Sequence, residues 1–171
     1  MNKPKTLSIM LHGWTDKHDF PDMCCWDMGG GLTWYPKCPS FVGAWRRRHV
    51  DWLLAKTMDL IWRKNINRVI LGGNSSGAAW IHYYGAAMKA MELPLTDIIH
   101  YGGLWRGIIC PDINPIFIYG ATDHIGRWMR KNPRQGTIEG AKAYGVKPYM
   151  GVGGHRWDHR NNKFLMTKCS G

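Results

Sequence analysis

The chain has 171 residues, of which 44% are hydrophobic and 12% aromatic, enough for the core of one domain but short for two, so we expect a single domain over residues 1–171. No stretch approaches the roughly 18–20 apolar residues of a membrane span, which excludes a membrane-spanning protein. We interpret the formal net charge of +11 as a solvated basic surface, with attraction to anionic polymers, surfaces or substrates as the alternative.

The first residues and the cysteines indicate where the chain works. The apolar run from Leu7 to Leu11 is short for a signal peptide and no small-residue cleavage site follows it, so we expect a cytoplasmic protein, with release by lysis as an alternative. The five cysteines show neither a paired zinc pattern nor a dense disulfide framework. We therefore expect free thiols and no metal. Nothing in the sequence indicates an oligomeric state.

Short apolar segments alternate with longer helix-like segments along the chain, a pattern typical of an α/β fold with a mostly parallel central sheet flanked by helices. Strands are predicted at residues 7–11, 23–28, 68–71, 97–101, 115–119 and 147–150. Helices are predicted at residues 50–62, 78–91, 137–144 and 161–168. Apart from residues 23–28, the segment 15–41 is rich in Gly, Pro, Cys and Trp and is predicted to form long loops.

The segment Gly73-Asn-Ser-Ser-Gly77 fits the pattern G-x-S-x-G, in which a serine nucleophile occupies a tight turn from a strand into a helix. A Val-Ile-Leu strand precedes this turn and an alanine-rich helix follows it, which is the setting the motif requires. The alternative, a phosphate-binding turn, lacks both the G-x-G-x-x-G spacing and a Gly-Lys-Ser/Thr segment. Ser75 is therefore the candidate nucleophile, and the backbone N–H of Ser76 a candidate oxyanion donor.

His12-Gly13-Trp14 follows the first predicted strand, where a loop N–H can serve as a second oxyanion donor. We assign that donor to the N–H of Trp14. The His12 side chain need not take part, because a histidine hydrogen-bonded to the loop backbone would explain it equally well.

Asp123 ends the segment that follows the strand at 115–119, and parallel sheets gather functional groups at the carboxyl ends of their strands. Asp123 is therefore the candidate acid that orients a histidine. Asp112 and Asp158 are competing carboxylates, and a helix cap is the other explanation for Asp123.

His155 follows the last predicted strand within Gly151-Val-Gly-Gly-His155, and is the candidate general base. The order Ser75, Asp123, His155 is the order that α/β-hydrolases use. A metal site is an alternative, because His155, Asp158 and His159 lie within five residues, but neither H-E-x-x-H nor H-x-x-E-H matches.

With these motifs in place, the chain resembles the α/β-hydrolase superfamily over nearly its whole length. Three segments are similar to those of the polyhydroxybutyrate depolymerase and feruloyl esterase group, namely Asn67-Arg68-Val69, Gly120-Ala-Thr-Asp123 and Gly153-Gly-His-Arg-Trp157. The resemblance implies a compact, minimal α/β-hydrolase fold, a Ser-Asp-His triad, a backbone oxyanion hole and no cofactor. It implies carboxylic ester hydrolysis of a small or polymeric substrate. Thioester or amide hydrolysis is an alternative on the same machinery, and a basic, non-catalytic module for nucleic acid or anionic glycan is another.

Overall fold

The computed structural model describes residues 4–13, 31–39, 45–103, 110, 112–113, 115–124, 145, 147–155, 158 and 160–169. Its strands are β1 (Thr6–Leu11), β2 (Leu32–Trp34), β3 (Arg68–Asn74), β4 (Leu95–Tyr101), β5 (Ile116–Gly120) and β6 (Tyr149–Gly151). Its helices are α1 (Val50–Lys64), preceded by a 3₁₀ turn at Arg47–His49, then α2 (Ala78–Ala90) and α3 (Asn161–Lys168).

All six strands belong to one sheet, in the order β2-β1-β3-β4-β5-β6, and every neighbouring pair is parallel. The predicted α/β class with a parallel sheet is confirmed. The chain runs outward from β1 in one direction to β2 and in the other to β3, so the strand order reverses between β1 and β3. In open parallel sheets, such a reversal opens a crevice at the carboxyl ends of the strands, where ligands bind.

Helices cover both faces of the sheet. Alternate strand residues point to opposite faces, so each face presents apolar side chains against which helices pack. On one face, strand residues pack with the inner sides of α1 and α2, a cluster that includes Leu7, Ile9, Leu11, Val69, Leu71, Leu53, Ile81 and Tyr84. On the other face, strand residues pack with α3, a cluster that includes Met10, Ile70, Ile99, Ile118 and Leu165. Strands β1 and β3 are therefore buried on both faces, as their near-continuous apolar sequences predict.

The structure changes two predictions about the elements. Residues 32–34, inside the segment predicted to form loops, make a short edge strand that pairs in parallel with β1. β3 continues through Gly72 and Gly73 to Asn74, beyond the predicted strand end at residue 71, because both glycines pair in register with β1 and β4. The predicted strand at 23–28 and helix at 137–144 lie outside the described residues.

Three of the five cysteines are described, and all three are buried thiols rather than disulfide partners. Burial raises the pKa of Cys110 to about 11 and that of Cys169 to about 12, so both are protonated at neutral pH and poorly nucleophilic. No helix in the described part of the chain is long and apolar enough to cross a membrane.

Candidate active site

Three sequence-predicted site residues follow three strands of the sheet. Ser75 comes directly after β3, Asp123 lies three residues beyond β5, and His155 lies four residues beyond β6. All strands are parallel, so these positions share the carboxyl edge of the sheet. Ser75 also adjoins the reversal between β1 and β3, where a crevice is expected.

Ser75 occupies a strained turn between β3 and α2. Its φ of 52° is in the left-handed region, which non-glycine residues seldom occupy. The turn is held by two backbone hydrogen bonds, from the Ser75 N–H to the Tyr101 carbonyl at 3.1 Å and from the Gly77 N–H to the Asn74 carbonyl at 2.8 Å. Strain of this kind persists only where the surroundings impose it, and it is concentrated at functional sites.

The two glycines of the motif allow close packing around the turn. A Cβ on Gly77 would stand 2.3 Å from the Leu11 carbonyl oxygen of β1, and a Cβ on Gly73 would stand 2.7 Å from the Ala78 nitrogen of α2. Both contacts are closer than any side chain tolerates. The motif therefore brings the serine turn against the end of β1 and the start of α2.

The N–H of Ser76 precedes the first turn of α2, where helix N–H groups have no partner within the helix. Among the described residues, no backbone hydrogen bond satisfies it. Its place directly after the serine is the one that the predicted oxyanion donor occupies. Trp14, the other candidate donor, lies outside the described residues.

His12 is buried in the loop after β1 and contacts the backbone on both sides of its ring. Its Nε2 accepts the Cys38 N–H at 3.0 Å, so the ring proton sits on Nδ1, which donates to the Gly13 carbonyl at 2.6 Å. The His12 side chain is therefore hydrogen-bonded to the loop backbone, as one of its predicted explanations required.

His155 and Asp123 are hydrogen-bonded to each other at the sheet edge. The His155 Nδ1 lies 3.2 Å and 3.1 Å from the two Asp123 carboxylate oxygens. The Asp123 side chain is fully buried, whereas that of His155 is 21% exposed. Because the carboxylate only accepts, Nδ1 carries the proton and Nε2 is left to accept one.

The competing residues are placed differently. The Asp158 carboxylate is paired with the Arg160 guanidinium at 2.6 Å, and Asp112 lies in a separate turn before β5 with a φ of 61°. His159, the third member of the alternative metal cluster, is outside the described residues. Within the described part of the chain, no group of three His, Cys, Asp or Glu side chains could hold a metal.

No hydrogen bond among the described residues joins the Ser75 hydroxyl to the His155 ring. Such bonds are often long until a substrate tightens them. The two residues are instead connected through Asn74, whose side-chain amide donates to the His155 carbonyl at 2.8 Å.

Sequence reasoning missed three polar residues that hold the His155 loop. They are Asn74, Tyr101, whose hydroxyl donates to the Gly154 carbonyl at 2.9 Å, and Asn161, whose amide bonds both the N–H and the carbonyl of Val152 at 2.8 and 3.1 Å. Burial, and next the nearby Asp123 carboxylate, raise the pKa of Tyr101, so its hydroxyl stays a donor. For Asn74 and Tyr101 the sequence signal was a polar group at the end of an apolar strand, whereas Asn161, the first residue of α3, gave no such signal.

Comparison with solved structures identifies the class of fold. An uncharacterized protein from Bacillus cereus matches with a TM-score of 0.69 at 14% identity, covering 99% of this chain and 60% of that one. A serine-to-alanine variant of YbtT, a type II thioesterase from the yersiniabactin pathway, matches with a TM-score of 0.63 at 11% identity, covering 98% of this chain and 92% of that one. The poly(3-hydroxybutyrate) depolymerase LpqC from Bordetella parapertussis gives 0.50 at 12% identity, covering 99% and 80%.

No protein-family model matches the chain. No curated protein matches it either. The chain spans about 60% of the Bacillus cereus protein. At these identities the likeness establishes the fold alone, which is the α/β-hydrolase fold that the sequence resemblance implied.

Proposed function

We propose that the protein is a serine hydrolase that cleaves carboxylic esters through an acyl-enzyme intermediate. One observation carries the proposal: a serine in a strained strand-to-helix turn shares a sheet edge with a buried aspartate paired to a partly exposed histidine. Each feature alone has an ordinary structural explanation. Together, they supply a nucleophile, a base and an orienting acid in the order that α/β-hydrolases use.

In the first half of the reaction, His155 Nε2 removes the Ser75 hydroxyl proton as Ser75 Oγ bonds to the ester carbonyl carbon. The carbonyl oxygen becomes an oxyanion, which the N–H groups of Ser76 and Trp14 stabilise. The intermediate then expels the alcohol, which takes the proton from His155. Asp123 holds the ring so that Nε2 faces the serine.

In the second half, His155 removes a proton from water, which attacks the acyl-Ser75 carbonyl. The same N–H groups stabilise the second oxyanion. Its collapse breaks the bond to Ser75 Oγ, releases the acid and returns the proton to the serine. This chemistry needs no cofactor, and it serves thioesters as well as esters.

The experiment is labelling with a fluorophosphonate, followed by peptide mapping. We expect the label on Ser75 and its loss in Ser75→Ala. Ser8→Ala, the same change at a buried position inside β1 rather than at the carboxyl edge of the sheet, is the matched control and should label like the wild type. A label mapped to Ser76 would move the nucleophile by one residue. No label, under conditions that modify a control esterase, would contradict the hydrolase and favour a basic binding module.

Substrate class is tested by turnover of matched p-nitrophenyl esters and acyl thioesters of equal chain length. We expect the ester to give the higher kcat/KM. A higher value for the thioester would assign the same residues to a thioesterase, a class represented among proteins with a similar fold. Hydrolysis of neither, combined with a Ser75 label, would show that the site requires an acyl group different from the one that both probes carry.

A further inference from the structure

Asn74 connects the candidate nucleophile with the candidate base, because its backbone adjoins Ser75 and its side chain is hydrogen-bonded to His155. It is the last residue of β3, directly before Ser75, and only 1% of it is exposed. Its side-chain nitrogen lies 2.8 Å from the His155 carbonyl oxygen, a contact that spans 81 positions of sequence. The same nitrogen lies 3.3 Å from the Tyr101 carbonyl oxygen.

Both partners of this nitrogen are carbonyl oxygens, which only accept. An amide nitrogen carries two hydrogens, so the Asn74 side chain can donate to both carbonyls at once. The Tyr101 carbonyl also accepts the Ser75 N–H at 3.1 Å. A single junction therefore joins the backbone of the nucleophile, the end of β4 and the backbone of the base.

The loop that carries His155 depends on side chains from other elements for its position. Gly153 has a φ of 85° and Gly154 follows it, so the loop backbone is intrinsically permissive. The Tyr101 hydroxyl and the Asn161 amide hold Gly154 and Val152. Among these three side chains, Asn74 alone is bonded to the backbone of His155 itself.

We propose that Asn74 is a positioning residue for hydrolysis. Its side-chain amide fixes the His155 backbone relative to Ser75, so that the imidazole can reach the nucleophile while its Nδ1 stays hydrogen-bonded to Asp123. The inference rests on the proposed function for its kinetic consequence. Its structural part, the anchoring of the His155 ring against Asp123, can be measured whether or not the protein is an enzyme.

Asn74→Ala removes both donated hydrogen bonds. A misplacement of a catalytic group by about 1 Å can cost 10²-fold, so we expect kcat to fall about 10- to 100-fold, with KM within about twofold. The rate of fluorophosphonate labelling should fall in parallel, because it depends on the same base. In ¹H NMR, the downfield signal of the His155 Nδ1 proton, which is bonded to Asp123, should broaden or disappear.

Tyr84→Phe is the matched control for lost stability. The Tyr84 hydroxyl is buried between α1 and α2, where it bonds Thr57 and the Leu53 carbonyl, and it takes no part in the site. We expect this variant to lose comparable stability, while its kcat and its downfield NMR signal stay at wild-type values. That contrast separates positioning from general destabilisation.

Asn74→Ser is the second variant, because a hydroxyl retains one donor and leaves a smaller cavity. We expect its kcat to lie between those of wild type and Asn74→Ala. The proposal is overturned if Asn74→Ala keeps kcat within about threefold of wild type, or if Tyr84→Phe loses as much activity. It is equally overturned if neither Asn74 variant folds, since Asn74 would then act through overall stability. A different outcome separates the two proposals. If the wild type is neither labelled nor active, but Asn74→Ala loses the downfield NMR signal that the wild type shows, the hydrolase proposal is contradicted and the anchoring of His155 by Asn74 stands.

Discussion

Relieving the strain at Ser75 should stabilise the protein while it abolishes hydrolysis. The comparison is between Ser75→Gly and Ser75→Ala, because both remove the hydroxyl and differ only in the Cβ. With a φ of 52°, the Cβ costs about 1–2 kcal/mol in the left-handed region, a cost that glycine avoids. Against this, glycine gives the unfolded chain extra conformational entropy, worth about 0.4–1 kcal/mol.

Taking the middle of each range, the difference leaves Ser75→Gly more stable than Ser75→Ala by about 0.8 kcal/mol. In a chain of this length, 1 kcal/mol shifts Tm by about 2–4 °C, so the expected gain is about 2–3 °C. Thermal unfolding followed by circular dichroism measures it. Both variants should lack turnover of a p-nitrophenyl ester.

Glu92 provides the matched control. Its φ is 56°, it is exposed after α2, and it lies outside the proposed site. Glu92→Gly should exceed Glu92→Ala in stability by a similar amount, with wild-type turnover in both. If the Glu92 pair shows this gain and Ser75→Gly is no more stable than Ser75→Ala, the reasoning from backbone strain at Ser75 is refuted.

Three further predictions concern the core, the pH dependence of stability and the surface charge. Tyr84→Phe and Thr57→Val should each lower the free energy of unfolding by about 1–3 kcal/mol, because each removes the hydrogen bond between these two buried hydroxyls. The double variant should lose less than the sum of the two single losses. Strict additivity in urea titrations would argue against that hydrogen bond. Burial holds the pKa of His100 at about 4, and that of its hydrogen-bonded partner His82 well below the ordinary value of 6.5. Below pH 6.5 the unfolded chain therefore binds protons that the folded chain does not. Stability should fall as pH drops from about 6.5 toward 4, by about 1.4 kcal/mol per pH unit for each histidine. Replacing both histidines by leucine should flatten that part of the urea-derived stability profile, and an unchanged slope would contradict their neutral burial. Because the net charge is +11, added salt should raise KM for an anionic ester more than for a neutral ester of the same length, and equal salt effects would count against a polyanionic substrate.

Local signals in the sequence were sufficient for the central strands and for the residues that follow them. β1 and β3 are buried on both faces, so their apolar runs stand out, and the predicted helix at 161–168 matches α3 in both bounds. β2 gave no such signal, because a three-residue edge strand with a half-exposed side-chain pattern needs no apolar run. β3 was cut short at Gly72 because glycine usually marks a turn, whereas here the pairing with β1 and β4 continues it.

The candidate site, like the fold, could be predicted only in part from local signals in the sequence. Ser75, Asp123 and His155 could be proposed from sequence, because each follows a strand, and parallel strands bring their carboxyl ends to one edge. Asp123 was also predicted as the acid that orients His155, but the sequence could not exclude Asp112 and Asp158 as competing carboxylates. In the structure, Arg160 pairs with Asp158, while Asp123 lies buried against the imidazole.

The class of fold could be predicted from sequence, because hydrophobic periodicity and turn chemistry are local properties that burial imposes on the central strands and on the helices. How the site is held together depends instead on contacts between elements that are far apart in the chain. The bond from Asn74 to His155 spans 81 residues, and the pairing of His82 with His100 joins α2 to β4. A buried polar side chain must find a partner, but which one depends on where the folded backbone places donors and acceptors, and no local pattern encodes that position.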